Sequence, residues 1–313
     1  WDIGKVMQVI RELGNSVEYL DTLFITDTDG RLLDELTLKE VVMSTSETKV
    51  SELMNANYVS LKVNEPQENA VRIFKEYDLY VIPVVNDENY LVGIVTADDV
   101  FDVIEEESTE DIQKFGGMAA LDEPYMSVPL IQMVKKRAGW LILLFLGEML
   151  TASAMGFFEH QIANAVFLAL FIPLIISSGG NSGSQAATLT IRAMALGEIT
   201  LKDWFRVMKR EIISGFLLGS MLGLIGFFRI FVWNSISNLY GEHWFFIGLT
   251  LYITLTGVVL IGTFSGSMLP FLLRRFGLDP AASSAPFVAT LVDVSGLLIY
   301  FTVATLILTG RLL

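Results

Sequence analysis

The chain has 313 residues, 52% of them hydrophobic, with no cysteine and only two histidines, His160 and His243, which excludes disulfides and leaves zinc-type metals short of ligands. Its mean hydropathy of +0.54 is too high for an ordinary soluble domain. Residues 1–134 carry 27 Asp and Glu against 9 Lys and Arg, whereas residues 135–313 carry 8 against 12; the acidic half excludes nucleic acid as a partner and precedes an apolar, mildly basic half, as a sensor precedes a membrane body.

The first 134 residues lack the apolar core of a cleavable signal peptide. The chain begins at Trp1 rather than Met, so we expect a piece of something longer. Residues 54–104 read as strand, helix, strand, strand, helix. A strand is predicted over 59–63. A helix follows from Pro66, with Ala70, Ile73, Phe74 and Tyr77 at helical spacing. Strands at 80–85 and 91–95 flank a polar turn at 86–89, and Thr96, Asp98 and Asp99 suit the start of the next helix. The pattern recurs with an offset of 59 residues: Leu32 matches Leu91, Thr37 matches Thr96, and Val41 matches Val100. The earlier copy lacks an opening strand. Two such α+β units resemble a CBS-domain pair (cystathionine-β-synthase modules), and "GIVTADDVFDVI" at 93–104 is typical of one. We therefore expect a truncated first CBS unit (1–53), a second unit (54–104) and an acidic connector helix (105–134). The resemblance implies an adenine nucleotide as ligand of the pair, although no residue here fixes it.

The connector carries "EEESTED" at 105–111. A charge run alone reads as a solvated helix face. Placed just before a membrane body, it points to cation sensing, because carboxylates facing a cation pore repel until solvent or cations screen them.

Residues 135–313 read as an all-α polytopic membrane domain of five spanning helices, near 138–158, 162–195, 212–233, 244–273 and 285–308. The second is interrupted by Pro173 and glycines. Lys135, Lys136, Arg137, Arg192, Lys202, Arg206, Lys209, Arg210, Arg274 and Arg275 fall on one side, and the opposite loops hold none. The acidic half is thus expected in the cytoplasm and the C-terminus outside, in the cell (inner) membrane. Trp233, Tyr240 and Trp244 suit an outer interfacial belt, toward which Arg229 snorkels.

Asp293 lies well inside the last apolar segment, within "PFVATLVDVSG" at 286–296. Inserting an acid there costs about 2.5–3.5 kcal/mol. An unpaired carboxylate would rather be protonated than charged, and a permeating cation removes both penalties; a carboxyl bonded to a neighbouring helix is the structural alternative. In the second helix, "SSGGNSGSQAAT" at 177–188 is a polar, glycine-rich patch. Asn181, Ser184 and Thr188 are spaced three and four apart, on one face, with Gln185 beside them. The glycines alone read as close helix packing; the whole polar face reads as a water-lined route. One carboxylate beside neutral oxygens suits a hydrated, hard cation, and Mg²⁺ keeps several waters and uses one or two carboxylates. Glu148 is the other mid-span acid. It is open to three readings: a second pathway site, a proton-coupling group, or a buried hydrogen-bonded strut. We favour the strut, since nothing near it in sequence forms a polar face. Glu159, His160, Glu242 and His243 at the outer ends read either as groups that attract cations or as ordinary surface charge, and we favour the latter.

At these residues the chain resembles the MgtE-type magnesium channel family. "SSGGNSGSQAATLTIRAMALGEI" at 177–199, Pro173, "LDP" at 278–280 and "PFVATLVDVSG" carry the resemblance, and the domain order agrees. The family's acidic N-terminal helical domain is absent from this sequence. The resemblance implies a homodimer in the lipid bilayer with the pore at its interface. Asp293 and the Ala289 carbonyl would hold hydrated Mg²⁺, and Gly180, Asn181, Ser184 and Thr188 would line the path. Some members carry Asn where this chain has Ser184. It also implies that cytosolic Mg²⁺ gates the pore by bridging acids, for which Glu68, Asp78, Asp98, Asp99, Asp102, Glu105, Glu107, Glu110, Asp111 and Asp279 are the matching candidates. The alternatives are an H⁺- or Na⁺-coupled secondary transporter and a membrane-tethered metal or nucleotide sensor. No nucleophile–base pair or phosphate loop argues for an enzyme.

Overall fold

The 59-residue repeat is visible in the backbone. The structure, a computed structural model, describes residues 1–14, 17, 19–121, 123–310 and 312. These fall into two units, Trp1–Ser108 and Thr109–Leu313. The first holds α1 (Ile3–Leu13), β1 (Thr22–Thr26), β2 (Leu32–Thr37), α2 (Leu38–Met43), α3 (Val50–Leu53), β3 (Leu61–Lys62), α4 (Gln67–Tyr77), β4 (Val81–Val85), β5 (Leu91–Thr96) and the start of α5 (Ala97–Phe115). β1 pairs antiparallel with β2, and β4 with β5. Both hairpins begin 59 residues apart (22 to 81, 32 to 91).

Their local chemistry repeats as well. Asp27 Oδ1 accepts the N–H groups of Asp29 and Arg31, and Asn86 Oδ1 accepts those of Glu88 and Tyr90. These are Asx turns, which short polar side chains favour. Gly30 and Asn89 both follow with positive φ, 93° and 68°. The two turns then clasp each other: Leu32 N–H donates to Asn89 O at 2.9 Å and Leu91 N–H to Gly30 O at 3.0 Å. After each hairpin a threonine starts a helix, with the N–H and hydroxyl of Thr37 both donating to Glu40 and those of Thr96 both donating to Asp99. Ile82, Leu61, Phe74 and Val100 fill one core, and Ile3, Leu36 and Val41 another.

The first sheet has two strands and the second three, consistent with a first copy lacking its opening strand. The expected strand at 59–63 shortens to β3, parallel to β4. The expected connector helix over 105–134 is corrected. The acidic run belongs to α5, which stops at Phe115, and Gly117 follows at φ 74°. The next helix starts only after Pro129, because glycine at positive φ and the prolines Pro124 and Pro129 break helical continuity.

The second unit holds α6 (Leu130–Phe157), α7 (Glu159–Asn164), α8 (Ile172–Ala195), α9 (Trp204–Ser237), α10 (Trp244–Arg275) and α11 (Ala285–Leu308), with short 3₁₀ turns at Val166–Phe171, Leu201–Asp203, Gly241–His243 and Pro280–Ala282. Among the described residues, five helical stretches are long and apolar enough to cross a membrane. The expected start of the first helix moves from 138 back to Leu130, since hydropathy marks the lipid-facing stretch whereas Lys135–Arg137 are equally content in a helix. The second expected helix does not run from 162. Its first part breaks into α7 and a 3₁₀ turn, and α8 starts at Ile172 with Pro173 in its first turn, where a missing N–H costs nothing.

α10 is the hub, packed on α8, α9 and α11. Two glycine contacts set the spacing. A Cβ on Gly266 would lie 2.0 Å from the Gly183 carbonyl oxygen, and one on Gly219 would lie 2.7 Å from the Thr256 Cα. Small residues permit such backbone approach, and van der Waals contact then replaces the hydrophobic drive that lipid removes. α6 is the least buried of the five spans.

Candidate functional site

α8 presents two faces. Gly179 and Gly183 press on α10, which turns Ser177, Asn181, Gln185 and Thr188 outward, where all four are exposed. The remaining expected positions meet α11. A Cβ on Gly180 would sit 3.4 Å from the Ala289 Cβ, and Ser184 Oγ donates to Ala285 O at 3.4 Å. Thr188 Oγ1 donates to Ser184 O at 2.8 Å, and Asn181 Nδ2 donates to Ser177 Oγ at 3.4 Å. A membrane-length helix that shows amides and hydroxyls on its surface is tolerated only against water or protein.

Asp293 lies partly exposed on α11, one turn beyond Ala289. Its carboxyl group is within hydrogen-bonding reach of Glu148 on α6. The Thr290 hydroxyl donates to Glu148 Oε1 at 3.4 Å. Gly147 makes this approach feasible, since a Cβ there would lie 2.5 Å from Thr290 Cγ2. Glu148 is exposed rather than buried in the single chain, while the hydrogen bond expected of a strut is present, from Thr290. The sequence held a signal for the approach of Glu148 to Asp293. Two mid-span acids each carry an insertion cost of about 2.5–3.5 kcal/mol and gain most by meeting where water or an ion can reach both.

The expected regulatory acids are placed separately. Asp99 is taken up in capping α5 through Thr96. Asp98 accepts the Tyr19 hydroxyl; that bond, with a contribution from Thr96, holds its carboxyl below the ordinary value. Glu107 accepts from Gln67 Nε2 at 2.7 Å. Asp78 ends α4 at φ 51°, and Glu68, Asp78, Asp102 and Glu105 are exposed. Asp111 lies on α5. Glu110 and Asp279 share one cation, Lys114, whose Nζ is 2.7 Å from Asp279 Oδ2 and also pairs with Glu110. Burial alone would lower the Lys114 ammonium, but its bonds to Asp279 and Glu110 outweigh it and raise the group above its ordinary value. Asp279 Oδ1 also caps the turn before α11, accepting from Ala281 N–H at 2.8 Å. Among the described residues no three carboxylate or imidazole side chains gather as a metal site.

Where α9 ends and α10 begins, the Arg229 guanidinium lies 5.6 Å from the Trp233 ring centroid, and Trp244 packs on Phe227 and Phe231. Arg229 therefore has an aromatic seat for snorkelling.

Residues 172–303 match the MgtE family model, described as a divalent cation transporter, and residues 50–106 match the CBS domain model. The magnesium transporter MgtE of Thermus thermophilus is 38% identical over 306 residues, 98% of this chain and 66% of that protein. The chain belongs to the MgtE family. A second MgtE relative, the magnesium transporter of Enterococcus faecalis, is 29% identical over 305 residues, 97% of this chain and 65% of that protein. Among solved structures, the cytosolic domain of the Mg²⁺ channel MgtE in complex with ATP is 35% identical, covering 33% of this chain and 42% of that one at a TM-score of 0.32. The chain thus spans about two thirds of the length of the curated relatives it matches, 66% and 65%. The MgtE relatives are named as transporters, not enzymes, and the architecture here is a CBS region followed by a five-span helical membrane domain. α6, which carries Glu148, lies outside both matched segments.

Proposed function

We propose that this chain is the CBS and membrane portion of a homodimeric magnesium channel that passes hydrated Mg²⁺ into the cytosol along a pore at the dimer interface. The observation that carries the reading is the exposed polar stripe of α8 packed beside the α11 helix that bears Asp293. A single chain in lipid would face that stripe's amides and hydroxyls with hydrocarbon, beyond the local bonds of Thr188 and Asn181. Two copies facing each other would enclose it around water, with one Asp293 from each. Mg²⁺ loses its inner waters reluctantly, so a path of hydroxyls, amides and the Ala289 carbonyl suits an ion that keeps its shell. The Asp293 carboxylates then supply charge where the apolar surroundings supply none.

The acidic unit faces the cytoplasm and the C-terminus faces out, an orientation supported by the basic residues clustered on one set of loops. Cytosolic Mg²⁺ closes the pore by bridging acids such as Glu110 and Asp279, and binding favours the bridged state by mass action. An adenine nucleotide binds the CBS pair.

The test is Mg²⁺ uptake into liposomes by the native chain and by Asp293→Ala. Loss of uptake in the variant supports the reading, and equal uptake rejects Asp293 as part of the path. The pairing of Glu148 with Asp293 also favours a second reading, an H⁺-coupled divalent transporter, because it supplies the further titratable group that coupling requires. Uptake that follows the Mg²⁺ gradient and ignores an imposed pH gradient decides for the channel.

A further inference from the structure

α6 brings more than one polar group to α11. Glu148 stands within hydrogen-bonding reach of Asp293, Thr290 donates to it, and Gly147 lets the two helices close. One turn beyond Glu148 on the same helix lies Thr151, which is 8% exposed and the buried residue that α6 contributes. Its hydroxyl is buried with no hydrogen-bond partner. A helical threonine commonly returns its hydroxyl to the carbonyl four residues back, as Thr188, Thr250 and Thr305 do here. A buried hydroxyl left unpaired costs about 1–3 kcal/mol. Thr151 lies four residues beyond Gly147, on the side of α6 that meets α11, so its hydroxyl is a spare polar group at that seam. The charged group that acts on Asp293 is another acid rather than a lysine or arginine. Two carboxylates so close repel strongly in apolar surroundings. A doubly charged cation offsets twice as much of this carboxylate charge as a singly charged one.

We propose that Glu148 is a second carboxylate of the cation site at Asp293, reaching the ion across its water shell, and that it sets the preference for doubly over singly charged cations. The proposal rests on the magnesium-channel reading above. Thr290 orients the Glu148 carboxylate, and Thr151 offers its hydroxyl to a water of the ion's shell.

The test measures Mg²⁺ and Na⁺ uptake by the full chain in liposomes. Glu148→Gln keeps the shape and removes the charge. The half-saturating Mg²⁺ concentration is expected to rise about tenfold or more, the scale on which supporting groups tune metal sites, and the ratio of Mg²⁺ to Na⁺ flux to fall. Glu148→Asp, which keeps the charge on a shorter arm, is expected to retain the flux ratio. A folded Glu148→Gln protein with native half-saturation and native flux ratio overturns the inference. If the Gln variant does not fold, a folded Glu148→Asp protein that leaks Na⁺ overturns it instead, and one that retains the ratio supports it. The parent reading fails separately: uptake that survives Asp293→Ala removes the channel site itself, whereas uptake lost in Asp293→Ala but unaltered in Glu148→Gln removes only the role of Glu148.

Discussion

Acidic side chains serve opposite purposes in the two units. In the first they are many, and the best-placed ones have local donors: Asp27 in a turn, Asp99 at a helix start, and Asp34, fully buried, accepting the N–H groups of Glu35, Asn55 and Ala56. In the second they are few, and the two in mid-span face each other. The contrast teaches that abundance of carboxylates marks solvation and capping. Scarcity within apolar helices marks chemistry, because there each acid must be compensated by something specific.

The sharpest break of this contrast is by substitution in mid-span against substitution in the acidic unit. Asp293→Ala is expected to lower the initial rate of Mg²⁺ uptake at least tenfold, the effect of losing about 1.4 kcal/mol or more from the favoured passage. Asp99→Asn keeps an acceptor for Thr96 and is expected to leave the rate near native. A collapse in both, measured side by side in liposomes, would dissolve the distinction between the units.

Next comes packing in the membrane unit. Gly266→Ala would place a methyl group 2.0 Å from the Gly183 carbonyl oxygen. That atom is backbone and cannot swing aside, so α8 and α10 must separate. The expected loss is about 3 kcal/mol, the upper end for overpacking. It should appear as a lower thermal midpoint in detergent, with the first unit's hydrogen exchange unaltered. Native stability would mean that the contact between these helices is looser than the glycines require.

Much of this was legible in sequence, for physical reasons. The repeat could be read because strands, Asx turns and threonine caps each demand particular residues at fixed spacing, as in Asp27 and Asn86 or Thr37 and Thr96. The spans and Asp293 could be read because lipid imposes length and punishes charge. Helix ends could not: Leu130 begins α6 in a charged stretch that hydropathy ignores, and Ile172 begins α8 where an apolar run had hidden a 3₁₀ turn. Partners across helices were also hidden. Glu148 has no polar neighbour in sequence, and its meeting with Asp293 depends on Gly147 opposite Thr290. Asp99 was legible as a residue that starts α5, and the structure bears that out through Thr96; its second reading, as a sensing acid, came only from the resemblance.

A smaller effect is expected at Lys114, which occupies the place where a metal would bridge Glu110 and Asp279. Both acids and the lysine are about one-third exposed, at 38%, 38% and 32%, so the pairs contribute at most about 1 kcal/mol to stability. Lys114→Gln frees two carboxylates for Mg²⁺. Closure is then expected at a lower cytosolic Mg²⁺ concentration, by a few-fold at most, read as the inhibition midpoint of uptake. A midpoint that moves upward would mean that the lysine itself, and not the acids it occupies, favours the closed arrangement.

The smallest effect tests whether crowded acids in the first unit are as well settled as they look. Glu35 is half-buried on β2, where burial, and then the charges of Asp34 and Glu40, raise its carboxyl above the ordinary 4.5. Folding therefore disfavours its ionised form. Below the unfolded-state value Glu35 is protonated in both states and no penalty exists. As pH rises through the raised folded-state value the penalty grows, and above it the penalty is complete. Glu35→Gln is thus expected to stabilise the first unit at neutral pH, with the gain fading as pH is lowered toward about 4. Thermal melts of the intact chain at several pH values, with hydrogen exchange assigning the change to the first unit, check both sign and window. Water screens a side chain this exposed, so the gain should be slight. A gain of equal size at every pH would trace to shape rather than charge, and Glu35 would then be as fully compensated as Asp99, leaving the mid-span pair as the site where carboxylate charge stays in need of a partner.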